Sequence, residues 1–97
     1  MIKVNIKNNN ISITGHALYA DAGKDIVCAS VSSIVITTIN ALIRLDKDCI
    51  KYDTKNGIVI TIMKQTKETN ILLDNMICLL EELEKDYNKN IKINREV

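Results

Sequence analysis

Strict alternation of apolar and polar residues at the start of the chain predicts two strands. In residues 2–6 every second position is Ile or Val, with Lys or Asn between, and residues 11–14 read Ile-Ser-Ile-Thr. A period of two is typical of a strand with one buried face. The three asparagines at 8–10 suit a turn, because Asn tolerates left-handed backbone. The two strands are therefore expected to form a hairpin.

A second hairpin and a last strand are predicted further along the chain. Residues 49–52 read Cys-Ile-Lys-Tyr and residues 58–62 read Ile-Val-Ile-Thr-Ile, and Asn56-Gly57 lies between them. Asn-Gly between two such runs is a strong signal for a hairpin turn. Ile91 and Ile93 alternate with polar residues and predict a short final strand at an edge of the sheet.

Two helices are predicted from the longer apolar segments. The first, residues 25–45, contains no charged residue from Ile26 to Ile43 and is long enough to suggest a membrane span. Its polar residues nevertheless recur every three or four positions, which favours an amphipathic helix buried on one face of a globular domain. They are Ser30, Ser33, Thr37, Asn40 and Arg44. The second helix has one apolar face, made of Leu72, Leu73, Met76, Ile77, Leu80, Leu83 and Tyr87.

The order of these elements predicts the fold class. It is ββαββα, with the residues near 91–93 as a possible seventh element. Hairpins joined by helices predict an α+β fold of two layers, in which two helices cover one face of a largely antiparallel sheet of four or five strands. The chain has 97 residues, 46% of them apolar, and no linker divides it, so residues 1–97 are expected to form one domain.

Charge and cysteine usage exclude several classes of partner. Thirteen Lys and Arg oppose twelve Asp and Glu, and the aromatic residues are three Tyr, so we expect no membrane partner and no direct binding to nucleic acid. Three cysteines at wide spacing do not form a disulfide framework, and no secretory leader is recognisable, which predicts a cytoplasmic protein. No two Cys or His residues are close neighbours, so we expect neither a metal site nor a cofactor.

One histidine and one cysteine form a candidate nucleophilic pair. His16 follows Gly15 at the end of the second predicted strand, and Cys28 lies in the first turn of the first helix. A thiol there faces unpaired backbone N–H groups and the positive end of the helix dipole, both of which favour the thiolate. A nearby imidazole would act as base and later protonate the leaving amine. Cys49 and Cys78 lack such surroundings. A lone cysteine early in an apolar helix is usually a small core residue, and this remains the alternative for Cys28.

Two neighbours of Cys28 admit both a structural and a functional interpretation. Asp25 is expected to be the helix N-cap, and its carboxylate could also orient His16. Ser32 shares the helix face of Cys28, where an inward hydroxyl needs a partner. It could donate back to the Cys28 carbonyl, or it could reach His16 or the substrate.

The segment between His16 and the helix is the third element of the candidate site. Gly15 and Gly23 flank it, and glycine absorbs the backbone rotations of a hinge. Residues 17–24 therefore form either a lid that orders on substrate or an ordinary surface loop.

These residues together resemble a known family. The chain reads GHA at 15–17 and GKDIVCASVS at 23–32. This pattern resembles the ribosomal-processing cysteine proteases (Prp) of Firmicutes and their relatives, in which His, Asp, Cys and Ser stand at matching separations. The resemblance also covers the length of the chain and the order of its elements.

The resemblance implies an activity. Family members are homodimers that remove a short N-terminal extension from large-subunit ribosomal protein number twenty-seven during ribosome assembly. The resemblance implies that Cys28 is the nucleophile and His16 the general base. It also implies that Asp25 and Ser32 are in supporting positions, and that Gly15 and Gly23 are the hinges of a mobile loop. A non-catalytic ribosome-associated binding or assembly module that keeps the motif remains the alternative.

Overall fold

Five strands and two helices build two layers in the computed structural model, which describes residues 1–15 and 25–96. The order ββαββαβ confirms the predicted α+β class and the final strand. In chain order the elements are β1 (Ile2–Lys7), β2 (Asn10–Thr14), α1 (Ile26–Leu45), β3 (Ile50–Asp53), β4 (Ile58–Ile62), α2 (Lys67–Asp86) and β5 (Ile91–Glu96).

The sheet has the strand order β3-β4-β2-β1-β5. Antiparallel pairing joins β1 to β2, β2 to β4 and β3 to β4, which confirms the largely antiparallel sheet. The edge strand β5 runs parallel to β1, with Ile2 opposite Ile91 and Val4 opposite Ile93. A parallel neighbour needs a long crossover connection, and α2 lies on that connection.

Alternation along the strands fills the core. Val4, Ile11 and Ile60 are fully buried, while the residues beside them in each strand face the opposite side of the sheet. Asn8 has a φ of 50° in the β1–β2 turn, which confirms the role expected of the asparagines there. Gly57 has a φ of 80° in the β3–β4 connection at residues 54–57, a left-handed conformation that glycine adopts readily.

The first helix is buried on one side only. Val27, Val31, Val35, Ile39 and Leu42 recur at helical spacing and pack into the single core. Four of the five predicted stripe residues, at 33, 37, 40 and 44, are exposed, and the one at 30 is half-buried. By length and composition alone α1 is apolar enough to cross a bilayer. In this fold its apolar face instead covers the sheet.

The second helix begins with a reciprocal cap. Thr66 accepts a hydrogen bond from the backbone N–H of Thr69 at 3.2 Å, and the Thr69 hydroxyl accepts one from the N–H of Thr66 at 2.8 Å. This is a capping box in which Thr replaces the usual Glu or Gln. Leu73, Met76 and Leu80 on the predicted apolar face are buried. α2 packs against both α1 and β5.

Candidate active site

Cys28 is the third residue of α1, and the residue that caps this helix also contacts it. Asp25 has extended backbone, and its Oδ1 accepts hydrogen bonds from the N–H groups of Val27 and Cys28, each at 3.0 Å. The N–H of Ala29 donates to the Asp25 carbonyl at 3.2 Å. The predicted N-cap is therefore confirmed, and it holds the first turn that carries the thiol.

The cap corrects one part of the sequence argument. We expected Cys28 to face unpaired N–H groups, but two of them, on Val27 and on Cys28 itself, already donate to the Asp25 carboxylate. In this arrangement they do not solvate a thiolate or a developing oxyanion. These two N–H groups therefore belong to the helix cap, and the activation of Cys28 expected from the sequence is left to the predicted base, His16.

The side chain of Cys28 lies at a cavity of about 220 Å³ at one end of the sheet. The start of β1, the end of β2, the start of β4 and the first two turns of α1 meet there. The apolar part of the lining comes from Ile2, Ile13, Val31 and Ile58. A half-buried thiol beside an apolar cavity is the arrangement expected of a nucleophile that meets a hydrophobic ligand.

Two glycines make the walls of this cavity possible. Gly15 and Gly57 both line it, and both have positive φ, 87° and 80° respectively. A Cβ on Gly15 would overlap the carbonyl oxygen of Met1, and a Cβ on Gly57 would overlap that of Ile13. The Asn-Gly pattern predicts only a hairpin turn at Gly57. It does not predict the place of Gly57 at the cavity, because a local turn signal does not say where the hairpin packs.

Ser32 lines the cavity, but it is exposed rather than turned into the core. The inward position inferred from its spacing to Cys28 is therefore wrong. Ser30 and Thr38 donate to the carbonyls four residues earlier, at 2.6 and 2.9 Å. Within the described part of the chain, no such bond joins Ser32 to the Cys28 carbonyl. Its hydroxyl is thus placed where a bound ligand can reach it.

The other two cysteines have quite different surroundings. Cys49 is fully buried, and its Sγ donates to the Leu42 carbonyl at 3.4 Å. Burial raises the pKa of the Cys49 thiol, and the nearby Asp46 carboxylate raises it further. Cys78 is exposed on α2. Neither lines the cavity, so Cys28 is the cysteine placed to react there.

The remaining predicted site residues are not described by the structure. His16, Gly23 and the proposed lid at 17–24 lie outside the described residues. The structure therefore brings together Cys28, Asp25, Ser32 and Gly15 around the cavity and its helix cap. Among residues 1–15 and 25–96, no three His, Cys, Asp or Glu side chains are grouped closely enough to hold a metal ion.

The chain is similar to one family of known proteins over nearly its whole length. Residues 1–92 match the family model described as "Cysteine protease Prp". The ribosomal processing cysteine protease Prp of Staphylococcus aureus is 32% identical over 92 residues, which cover 91% of this chain and 87% of that protein. The Prp of Mycoplasma genitalium is 32% identical over 100 residues, covering 99% of this chain and 97% of that protein.

A solved structure agrees with this match. The crystal structure of the essential ribosomal processing protease Prp from S. aureus, in complex with a covalently linked product peptide, superposes with a TM-score of 0.83. The two chains are 28% identical, and the match covers 98% of this chain and 97% of the other.

Proposed function

This chain belongs to the Prp family of ribosomal-processing cysteine proteases and is a cysteine-type peptidase, and from that premise we propose its substrate and its catalytic residues. The substrate is large-subunit ribosomal protein number twenty-seven, from which the enzyme removes a short N-terminal extension. Cys28 is the nucleophile and His16 is the general base. Family membership favours this peptidase over a non-catalytic assembly module.

The single observation that supports Cys28 most directly is its position. It lies at the start of a helix and beside an apolar cavity, whereas Cys49 is buried and Cys78 is exposed away from the cavity. The S. aureus relative has been solved with a covalently linked product peptide. A covalent link to a peptide is what a nucleophilic thiol forms during peptide cleavage.

The reaction proceeds in two halves. The thiolate of Cys28 attacks the scissile carbonyl carbon, and the amine leaves with a proton from the imidazolium of His16. The resulting thioester is hydrolysed by a water molecule whose proton returns to the imidazole. Asp25 holds the first turn of α1 and supports His16, and Ser32 contacts the peptide or the histidine at the cavity mouth.

The setting of the reaction is also a proposal. The enzyme works in the cytoplasm, where thiols stay reduced and ribosomes are assembled. It acts as a homodimer and recognises the protein substrate rather than ribosomal RNA. Light scattering at micromolar concentration should give about twice the chain mass of 10.9 kDa, and a monomer across a wide concentration range would contradict the dimer.

Incubation with the full-length precursor of the cognate ribosomal protein tests the substrate. The expected result is a single new N-terminus on the ribosomal protein, identified by mass spectrometry. It should match the N-terminus that the mature ribosomal protein has in ribosomes from the same cells. A second ribosomal protein with an unprocessed N-terminus serves as the control substrate. Cleavage of both proteins, or of neither, would contradict the proposed specificity.

A further inference from the structure

A groove separates the first half of α1 from the second half of α2. Its volume is about 550 Å³, and its apolar floor is formed by Ala29, Ile34, Leu79 and Leu83. Leu79 is 40% exposed. The groove therefore presents apolar surface that nothing in the described part of the chain covers.

Two carboxylates also line the groove. Glu82 and Asp86 both line the groove and are four residues apart on α2. Like charges at this spacing destabilise a helix, and Asp86 is also the last residue of α2, at the negative end of the helix dipole. Both carboxylates are therefore placed against the local electrostatics of the helix that carries them.

The neighbouring carboxylates do have protein partners. Glu81 forms an ion pair with Arg95 at 2.9 Å, and Glu84 accepts the backbone N–H of Ile93 at 2.8 Å. No ion pair of Glu82 or Asp86 occurs within residues 1–15 and 25–96. Across the groove, α1 offers no cation, since residues 26–43 carry no charge. The groove thus combines an apolar floor with two carboxylates that form no ion pair within the described residues. Lys85, the cation nearest to them along α2, lines a different pocket.

The groove and the cavity at Cys28 share one wall, which is α1. Val31 and Ser32 face the cavity, and Ser30 and Ser33 face the groove. The ridge between them is low, because Ser32 and Ser33 are small and exposed. A helix is roughly 10–12 Å across, and an extended peptide advances about 3.3 Å per residue. Three or four residues would therefore lead from one site to the other.

We propose that this groove binds a cationic segment of the same substrate chain whose scissile bond lies at Cys28. Lys and Arg fit both the apolar floor and the carboxylates of the groove. Their aliphatic stems cover apolar surface, while their charged groups reach Glu82 and Asp86. Ribosomal proteins carry such residues to neutralise RNA phosphates. The inference rests on the proposed function and adds a second contact to it, away from the nucleophile.

A cycle of enzyme and peptide variants tests the groove. The enzymes are the wild type, Glu82→Gln/Asp86→Asn, and the control Glu68→Gln/Asp74→Asn, which removes the same charge from exposed positions of α2 outside the groove. The peptides are the N-terminal segment of the cognate ribosomal protein and an analogue with its Lys and Arg replaced by Gln. Cleavage gives kcat and KM, and fluorescence titration of the same proteins with Cys28→Ala gives Kd.

For the wild type and the control enzyme, kcat/KM should be about fivefold lower on the neutral peptide than on the cationic one, because KM rises. This is the size expected for one or two solvent-exposed ion pairs. The groove variant should lose at most about twofold from the same peptide change, and high salt should reduce the wild-type preference. Equal losses in all three enzymes would overturn the inference while leaving the peptidase intact. If the wild type cleaves neither peptide, the proposed function fails, and the Kd cycle still decides whether the groove binds cations.

Discussion

The two roles of Asp25 can be separated by a pair of substitutions. Oδ1 alone accepts both cap bonds, from Val27 and Cys28, so the second carboxylate oxygen is not used by the cap. Asp25→Asn keeps an oxygen for the cap but replaces that second acceptor with an NH₂ group. Asp25→Ala removes the cap and the charge together. The comparison therefore distinguishes a helix cap from a carboxylate that supports His16.

The expected sizes follow from these contacts. Loss of an N-cap acceptor costs about 1 kcal/mol, with a range of roughly 0.5–2. For a domain of about 100 residues this lowers the Tm by roughly 4–8 °C. Asp25→Ala should show that shift. Asp25→Asn should lose only the attraction of the carboxylate for the helix dipole, roughly 0.3–1 kcal/mol.

Asp25→Asn should reduce catalytic activity much more than it reduces stability. We expect Asp25→Asn to lower kcat/KM on the substrate peptide at least about tenfold, far more than its small effect on folding explains. Thermal unfolding followed by circular dichroism and peptide cleavage followed by mass spectrometry give the two quantities. Wild-type kinetics in Asp25→Asn would refute the reasoning and leave the cap as the only role of Asp25.

The remaining predictions concern the cavity wall and the three thiols. Gly57→Ala should lower both the Tm and kcat/KM, because its Cβ would overlap the carbonyl of Ile13 and displace the β3–β4 hairpin from the cavity; an unchanged Tm and unchanged kinetics would show that the hairpin adapts without cost. A small alkylating agent near pH 7 should modify Cys28 faster than the exposed Cys78. Cys49 should not react until the protein unfolds, since its raised thiol pKa leaves less thiolate at any given pH and its burial blocks access. Peptide mapping gives the three rates, and a faster reaction at Cys78 than at Cys28 would argue against an activated Cys28.

Local signals in the sequence predicted most of the fold. Alternation identified β1 and β2, Asn56-Gly57 identified the second hairpin, and the polar stripe of α1 correctly predicted its exposed side. Asp25 was predicted as a cap because that role depends only on the next three residues. Each of these features is decided by neighbours in the chain, which is why pattern and residue type were sufficient.

Contacts between distant segments were harder to predict. The parallel pairing of β5 with β1 depends on where α2 returns the chain, which no local pattern encodes. Ser32 was expected to point inward because it shares a helix face with Cys28. At Ser32, however, that face borders the cavity rather than the core, and the residue is exposed. The Asp25 cap was predicted, yet only the geometry showed that it occupies the N–H groups of Val27 and Cys28 that were expected to face the thiol.

Cleavage by Cys28→Ala is the most direct test of the central claim that Cys28 is the nucleophile. The N-terminal peptide of the cognate ribosomal protein is incubated with the wild type, with Cys28→Ala and with the control Cys78→Ala, and the products are measured by mass spectrometry. We predict a single cut by the wild type and by Cys78→Ala, and no product from Cys28→Ala, which should remain folded by circular dichroism. Cleavage at the same bond by Cys28→Ala would contradict the account.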